Sequence, residues 1–400
     1  MQINEASNIN HNVNTFSLFN LGFRIFFLAA GIFAVVAMTM WTVIIQFKLP
    51  LPFGLLSSSQ WHAHEMIYGY SLAVIAGFLL TAVKNWTGEE TVTGKSLGFI
   101  FGLWVVARLL FLFGSQYLAI AAVFDILFLV ALLFAVIYPV YKARQWKQSG
   151  IIVILLLMVV FNSLFYLGGL GIINKGLDWG NYGGLYLIIG LVLIMARRVI
   201  PFFIERGVGY EVKLFNSKWL DIAIILLLAV FFISEIFISQ PQISATIALI
   251  LFMANSVRLL GWHTRGIWTK SMLWSIYVAC WFINFGFLLL AARYFFGTSI
   301  LLAIHAFSVG GIGLITMGMM SRVALGHTGR DISRPAKVIN YALGILVMAG
   351  FARVLLPLLE PSHYVLWLGI SQILWIVAFL IFIIVYFPIL SKPRLDNQPG

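Results

Sequence analysis

Apolar positions in this chain run in long unbroken blocks instead of alternating with polar ones. Twelve such blocks cover approximately 21–45, 64–83, 96–113, 117–140, 150–172, 182–203, 217–238, 242–262, 271–292, 300–321, 337–358 and 364–388. Each is long enough for a helix to cross the ~30 Å hydrocarbon core of a bilayer. The period-two alternation that marks a membrane β-barrel is absent. The pattern predicts an all-α, polytopic membrane protein of about twelve transmembrane helices. Residues 21–390 form a single twelve-helix domain between an N-terminal tail, 1–20, and a C-terminal tail, 391–400. Short turns at Gly114–Gln116 and Ser239–Pro241 join the third span to the fourth and the seventh to the eighth.

Composition strengthens that picture. The chain is 62% hydrophobic and 10% charged, with mean hydropathy +1.01. A soluble domain carries about 25% charged residues, so this chain cannot clothe a water-soluble globule. Its net charge of +12 would otherwise point to nucleic acid, but the basic residues gather in alternate loops. Nineteen Lys and Arg fall on one side, against only Lys48, Lys175 and Arg293 on the other. Basic loops stay cytoplasmic, so both termini are expected inside, with membrane lipid and not nucleic acid as the surrounding partner. His62, His64, Glu65, His305 and His363 then lie toward the outer face, and His11, His263 and His327 toward the inner. Cys280 is the single cysteine, which leaves no disulfide framework and no iron–sulfur motif. The first 20 residues lack a basic segment followed by a cleavage site, so no removable signal peptide is expected.

Candidate chemistry concentrates in Trp61–Gly88, where His62, His64 and Glu65 stand at the mouth of an apolar run. Ionisable groups at a membrane rim are costly and by default mark a site. Laying His64 on His305 reveals a repeat: Gly69, Gly77, Thr87 and Gly88 fall on Gly310, Gly318, Thr328 and Gly329. In the following helices Ala107-Arg108-Leu109-Leu110 matches Ala352-Arg353-Val354-Leu355. Helices 2–3 and 10–11 therefore form a parallel internal repeat about an axis along the membrane normal. His64 and His305 would face each other at equal depth across that axis. Arg198-Val199 matches Arg322-Val323 and marks the sixth span as a weaker third copy, with Asn181 where the histidines stand.

Two neutral imidazoles on facing helices suit the axial positions of a haem, here of type b, and also suit copper. His64 and His305 are the expected haem ligands. Arg108 and Arg353 would hold its propionates or else reach to the outer headgroups. Glycines 69, 77, 310, 313 and 318 leave room for a macrocycle or for close helix packing. His62 lies about 200° around a helix from His64, which frees it for a second metal, copper, with Glu65 or Met66. Met317, Met319 and Met320 are soft donors or core fillers. His327 and Arg330, in the polar end Ser321–Arg330, would bind an anion or cap the helix. Asp125 and Glu235 sit inside spans, to relay protons or to pair with a neighbour.

Three stretches, WHAHEMIYGY with GFLLTAVKNWTG, RRVIPFF, and HAFSVGGIGLITMGMMSRVALGHTGR, resemble the NnrS family of bacterial membrane proteins over nearly the whole chain. The resemblance implies a haem- and copper-containing protein of the cytoplasmic membrane. It also implies a role in nitric oxide metabolism and nitrosative stress tolerance, with nitric oxide or an iron nitrosyl as partner. The matched residues are His62, His64, Glu65, Met66, His305, His327 and Arg330. Many members have a histidine in the ninth span where this chain has Tyr277. Two other classes stay open: a transporter of a metal, haem or iron nitrosyl, and a redox enzyme like nitric oxide reductase. The latter enzymes need more histidines than the four expected on the outer face. No catalysed reaction follows from these residues.

Overall fold

The structure, a computed structural model, describes residues 17–49, 56–238 and 240–396. His11, with most of the N-terminal tail, Ser239 of the predicted turn and the last four residues fall outside them. Among the described residues there is no β-strand, and twelve helices are long and apolar enough to cross a membrane. They are α1 Gly22–Phe47, α2 Ser58–Thr87, α3 Gly94–Leu112, α4 Leu118–Lys142, α5 Trp146–Gly169 and α6 Gly176–Gly207. The second half holds α7 Lys218–Ile238, α8 Pro241–Trp262, α9 Ser271–Phe296, α10 Ile300–His327, α11 Lys337–Leu359 and α12 Pro361–Ser391. The chain is a multi-pass membrane protein.

The start of α2 departs most usefully from the sequence pattern. Ser57 Oγ accepts from the Gln60 amide at 3.2 Å while Gln60 Oε1 accepts from the Ser57 amide at 2.9 Å. This reciprocal capping box starts the helix early and takes His62 and His64 inside it. The two rings leave opposite sides of one helix, as their spacing requires.

Packing repeats every four spans. The pairs α1–α2, α5–α6 and α9–α10 pack closely, as do α3–α4, α7–α8 and α11–α12. Consecutive units join through α4–α5 and α8–α9, and α12 returns onto α1 to close a ring. Arg24, fully buried in α1, donates to the carbonyls of Leu390 (2.9 Å) and Lys392 (2.7 Å) at the end of α12. Helices α2, α6 and α10 touch one another inside the ring. In these three and α9, 61–78% of the apolar window is buried, against 33–50% in the other eight, so they form the core. Tyr68 of α2 donates to the Gly180 carbonyl of α6 (2.7 Å), and Tyr70 meets Thr316 of α10 (2.5 Å).

The parallel repeat is thus a set of three four-helix units, α1–α4, α5–α8 and α9–α12. Local geometry follows it. Directly after His64, α2 widens into a π-helical segment, Glu65–Ser71, and directly after His305, α10 does the same at Ala306–Gly313. Such widened turns admit an extra residue and concentrate at functional sites. Gly88 (φ 76°) and Gly329 (φ 73°) follow the two helices in the left-handed conformation, which costs glycine least. The α6 copy keeps one signature of its own: Arg198 lies over Trp86 of α2 at 4.6 Å, and Arg322 of α10 over Phe203 of α6 at 3.9 Å. One contact is handed from helix to helix around the axis. No π segment interrupts α6, where Asn181 stands for the histidine.

Candidate functional site

His64 is completely buried, and both of its ring nitrogens are engaged. Nδ1 lies 2.9 Å from Glu65 Oε1 and Nε2 lies 3.0 Å from Asn162 Oδ1. The Asn162 amide nitrogen donates to Asp125 Oδ2 at 3.0 Å, which turns its carbonyl toward His64. Tyr166 donates to the same carboxylate oxygen at 3.0 Å. Arg108 closes the cluster with Nη1 at 2.5 Å from Glu65 Oε1 and Nη2 paired to Asp125 Oδ1. Phe165 (4.2 Å) and Phe111 (5.0 Å) stack on the imidazole. Both nitrogens thus lie within hydrogen-bond reach of an oxygen atom. Arg108 faces both carboxylates, the kind of pairing under which charge survives in a membrane interior.

This arrangement departs from three expectations and meets one alternative of a fourth. Neither nitrogen of His64 has a lone pair directed into open space, so His64 does not fit as a haem ligand. Arg108 is spent on two carboxylates and neither clamps a propionate nor reaches the headgroups. Glu65 is held by Arg108 and His64 and does not join His62 as a metal donor. Asp125 pairs with its neighbours, one of the two roles foreseen for it.

A second cluster forms across the unit boundary. The His62 ring stacks on Trp41 of α1, with centroids 4.4 Å apart and planes 7° apart, and its buried Nδ1 has no hydrogen-bond partner. It lies within electrostatic range of Arg353, and His305 lies within range of both. His305 donates from Nδ1 to the Leu301 carbonyl at 2.6 Å, which leaves Nε2 as the nitrogen with a lone pair. Arg353 Nη2 approaches that nitrogen at 3.3 Å and donates to Tyr364 Oη at 2.9 Å. Arg353 is only 4% exposed, yet its Nε and Nη1 have no partner, and it forms no ion pair among the described residues. Glu360, just beyond α11, turns instead to Ser362 and His363, and the Ser362 hydroxyl foremost holds its carboxyl below the usual range. His62 thus shares an electrostatic neighbourhood with His305, while the hydrogen bonds and ring contacts of His64 lie within the first two units, where the repeat had put His64 opposite His305.

The glycines leave no vacant slot. A Cβ on Gly69 would sit 2.5 Å from the Phe33 ring and one on Gly77 would sit 2.8 Å from Phe27. Gly310 is closed by Phe282, Gly313 by Trp375 and Gly318 by Ser275. They serve close packing, not a macrocycle. Met317 and Met320 are fully buried core residues, and Met66 packs half-buried against the same core.

At the C-terminal end of α10 the polar motif docks the segment that follows α12. Arg394 donates to the His327 carbonyl at 3.0 Å, and the Leu395 amide donates to the Thr328 carbonyl at 3.2 Å. Asp396, held by Arg394, lies against Gly329, where a Cβ would come within 3.0 Å of its carboxyl carbon. The His327 ring packs on Phe23 at 5.6 Å. Arg330 Nη1 turns toward the Thr328 carbonyl at 3.4 Å. The carbonyls at the end of α10 are thus met by Arg394 and Arg330, while the His327 ring serves packing. Tyr277 donates to the Leu259 carbonyl at 3.0 Å and ties α9 to α8.

Sequence reasoning missed Asn162 and Tyr166, and also Asp221 with its partners Arg197 (2.5 Å) and Arg258 (3.8 Å). A signal existed for the first cluster. Arg108 and Asp125 are opposite charges inside consecutive apolar spans, which only mutual pairing makes tolerable. Among the described residues, no three His, Cys, Asp or Glu side chains converge to hold a metal ion.

A sequence profile described as NnrS protein matches residues 17–394. No curated protein matches the chain.

Proposed function

Because the chain belongs to the NnrS family, we propose that it is a haem-binding protein of the bacterial cytoplasmic membrane, acting in nitric oxide metabolism and nitrosative stress tolerance. The observation that supports this most is that His62 and His305 stand near the N-terminal ends of α2 and α10 and within electrostatic range of Arg353 toward the C-terminal end of α11. A porphyrin brings four nitrogens of its own and asks the protein for only one or two ligands. That suits a site with two imidazoles and no third donor. His62 offers Nδ1, and His305 would offer Nε2 once Arg353, which lies 3.3 Å from it, turns to a propionate. Haem, when bound, would supply an iron with affinity for nitric oxide. The residues hold and orient the cofactor, and the aromatic packing around α2 and α10 keeps water from it. Copper would compete for the same imidazoles, so metal analysis belongs beside the spectra. The purified protein is expected to show a strong Soret band that shifts on adding nitric oxide. A colourless, metal-free preparation from haem-replete cells would overturn the proposal.

The reading includes an orientation, with both termini cytoplasmic and the loops at Lys48, Lys175 and Arg293 outside. Cysteine labelling from outside intact cells should therefore reach a cysteine placed at Lys175 and spare one placed at Arg144. The reverse pattern would move the His62 and His305 site to the cytoplasmic side.

A further inference from the structure

Arg108 and Arg353 occupy matching positions in two copies of one helix, yet their electrostatic situations are opposite. Arg108 meets the carboxylates of Glu65 and Asp125. In the other copy the position of Glu65 is taken by Ala306, and α12, the counterpart of α4, contains no Asp or Glu. The third unit has kept the cation and removed both anions. What remains is a guanidinium 4% exposed, with Nε and Nη1 unpartnered and only the neutral His305 and Tyr364 on Nη2. Arginine stays charged in proteins. A buried charge without a counter-ion is what a membrane interior tolerates least. Within electrostatic range of it, the buried Nδ1 of His62 is also unpartnered.

We propose that the missing counter-ion is a ligand: the site at Arg353, His62 and Tyr364 binds a monovalent oxyanion of the carboxylate type. Two sources carry that chemistry. One is a propionate of the haem, which applies only where the proposed function holds. The other is a small free anion such as nitrite or acetate, which needs no haem. The position of Glu65 in the first unit is then a covalent version of the ligand in the third.

The test uses the full-length protein in detergent, as wild type, Arg353→Gln and Arg353→Lys. In one arm it is reconstituted with haem or with haem dimethyl ester, whose propionates are blocked. In the other, sodium nitrite and sodium acetate are titrated at constant ionic strength while tryptophan fluorescence, to which the stacked Trp41 contributes, and the melting temperature are followed. If a propionate is the anion, wild type should prefer haem over the ester by about tenfold or more, the worth of one hydrogen bond to a charged group. Arg353→Gln should lose that preference and Arg353→Lys should keep part of it. If a free anion is the ligand, nitrite or acetate should raise the melting temperature of wild type but not of Arg353→Gln, and haem and ester should bind alike. Either pattern supports the site. Equal binding of haem and ester by wild type together with no anion response would overturn it, and so would identical behaviour of Arg353→Gln. Both wild-type comparisons stand even if a variant does not fold. A protein that takes up no haem leaves the anion titration to decide, so failure of the haem reading and failure of this one are separable.

Discussion

Alanine at His305 is expected to strip haem from the purified protein, and alanine at His62 to weaken or reshape its spectrum, while His64→Gln spares it. The repeat read from sequence alone would have His64 and His305 equally indispensable and His62 dispensable for haem. Geometry exchanges the roles of His62 and His64 and keeps that of His305. His64 spends both nitrogens on Glu65 and Asn162, whereas His62 Nδ1 is unpartnered and His305 Nε2 bears the lone pair. Removing even an outer-shell partner of a metal ligand costs about 10–100-fold in affinity, so loss of His305 itself should cost at least that. Haem-to-protein ratio, measured on the monodisperse fraction, separates lost ligation from lost folding. A normal ratio in His305→Ala with a haem-free but folded His64→Gln would return the ligand role to His64.

Leucine at Arg108 should all but abolish folded protein in the membrane, whereas leucine at Arg353 should leave its yield close to wild type. The tetrapeptides around the two arginines are nearly the same, so a role in reaching headgroups would make the variants alike. Arg108→Leu leaves Glu65 and Asp125 buried without their cation, and breaking a buried ion pair from one side costs about 3–5 kcal/mol. Adding Asp125→Asn and Glu65→Gln to Arg108→Leu should recover much of the loss, because the remaining polar groups are then neutral. Size-exclusion profiles and melting temperatures in detergent would read the series. An Arg108→Leu protein as stable as wild type would mean that the cluster relaxes to water.

Much of the architecture was legible because a bilayer enforces it. Apolar runs of fixed length admit little but helices, and all twelve appear. The glycines exposed two units of the repeat because Gly69 and Gly310 answer to large rings, Phe33 and Phe282, that leave no space for a side chain. The same observation explains why they misled about a cofactor: a glycine in a sequence reports closeness without saying what comes close. The third unit stayed faint because its helix carries Asn181 in place of histidine and has no π segment. The partners of His64 were illegible for another reason. Asn162 and Tyr166 are unremarkable residues in an apolar span, and only the packing of α4 against α5 brings them to Asp125. Linear spacing revealed that His62 and His64 diverge but not which of them would meet the other half of the molecule.

The closure of the ring between α12 and α1 bears on how the chain is made. A ribosome delivers α1 first and α12 last, with ten membrane spans between them. Until the final helix emerges, Arg24 has no Leu390 or Lys392 carbonyl to bond, and one flank of α1 faces lipid or a chaperone. Assembly cannot finish during synthesis. A nascent chain stalled before α12 would hold two complete units, a third short of one helix, and an open edge, and that edge is where membrane quality control would find its substrate.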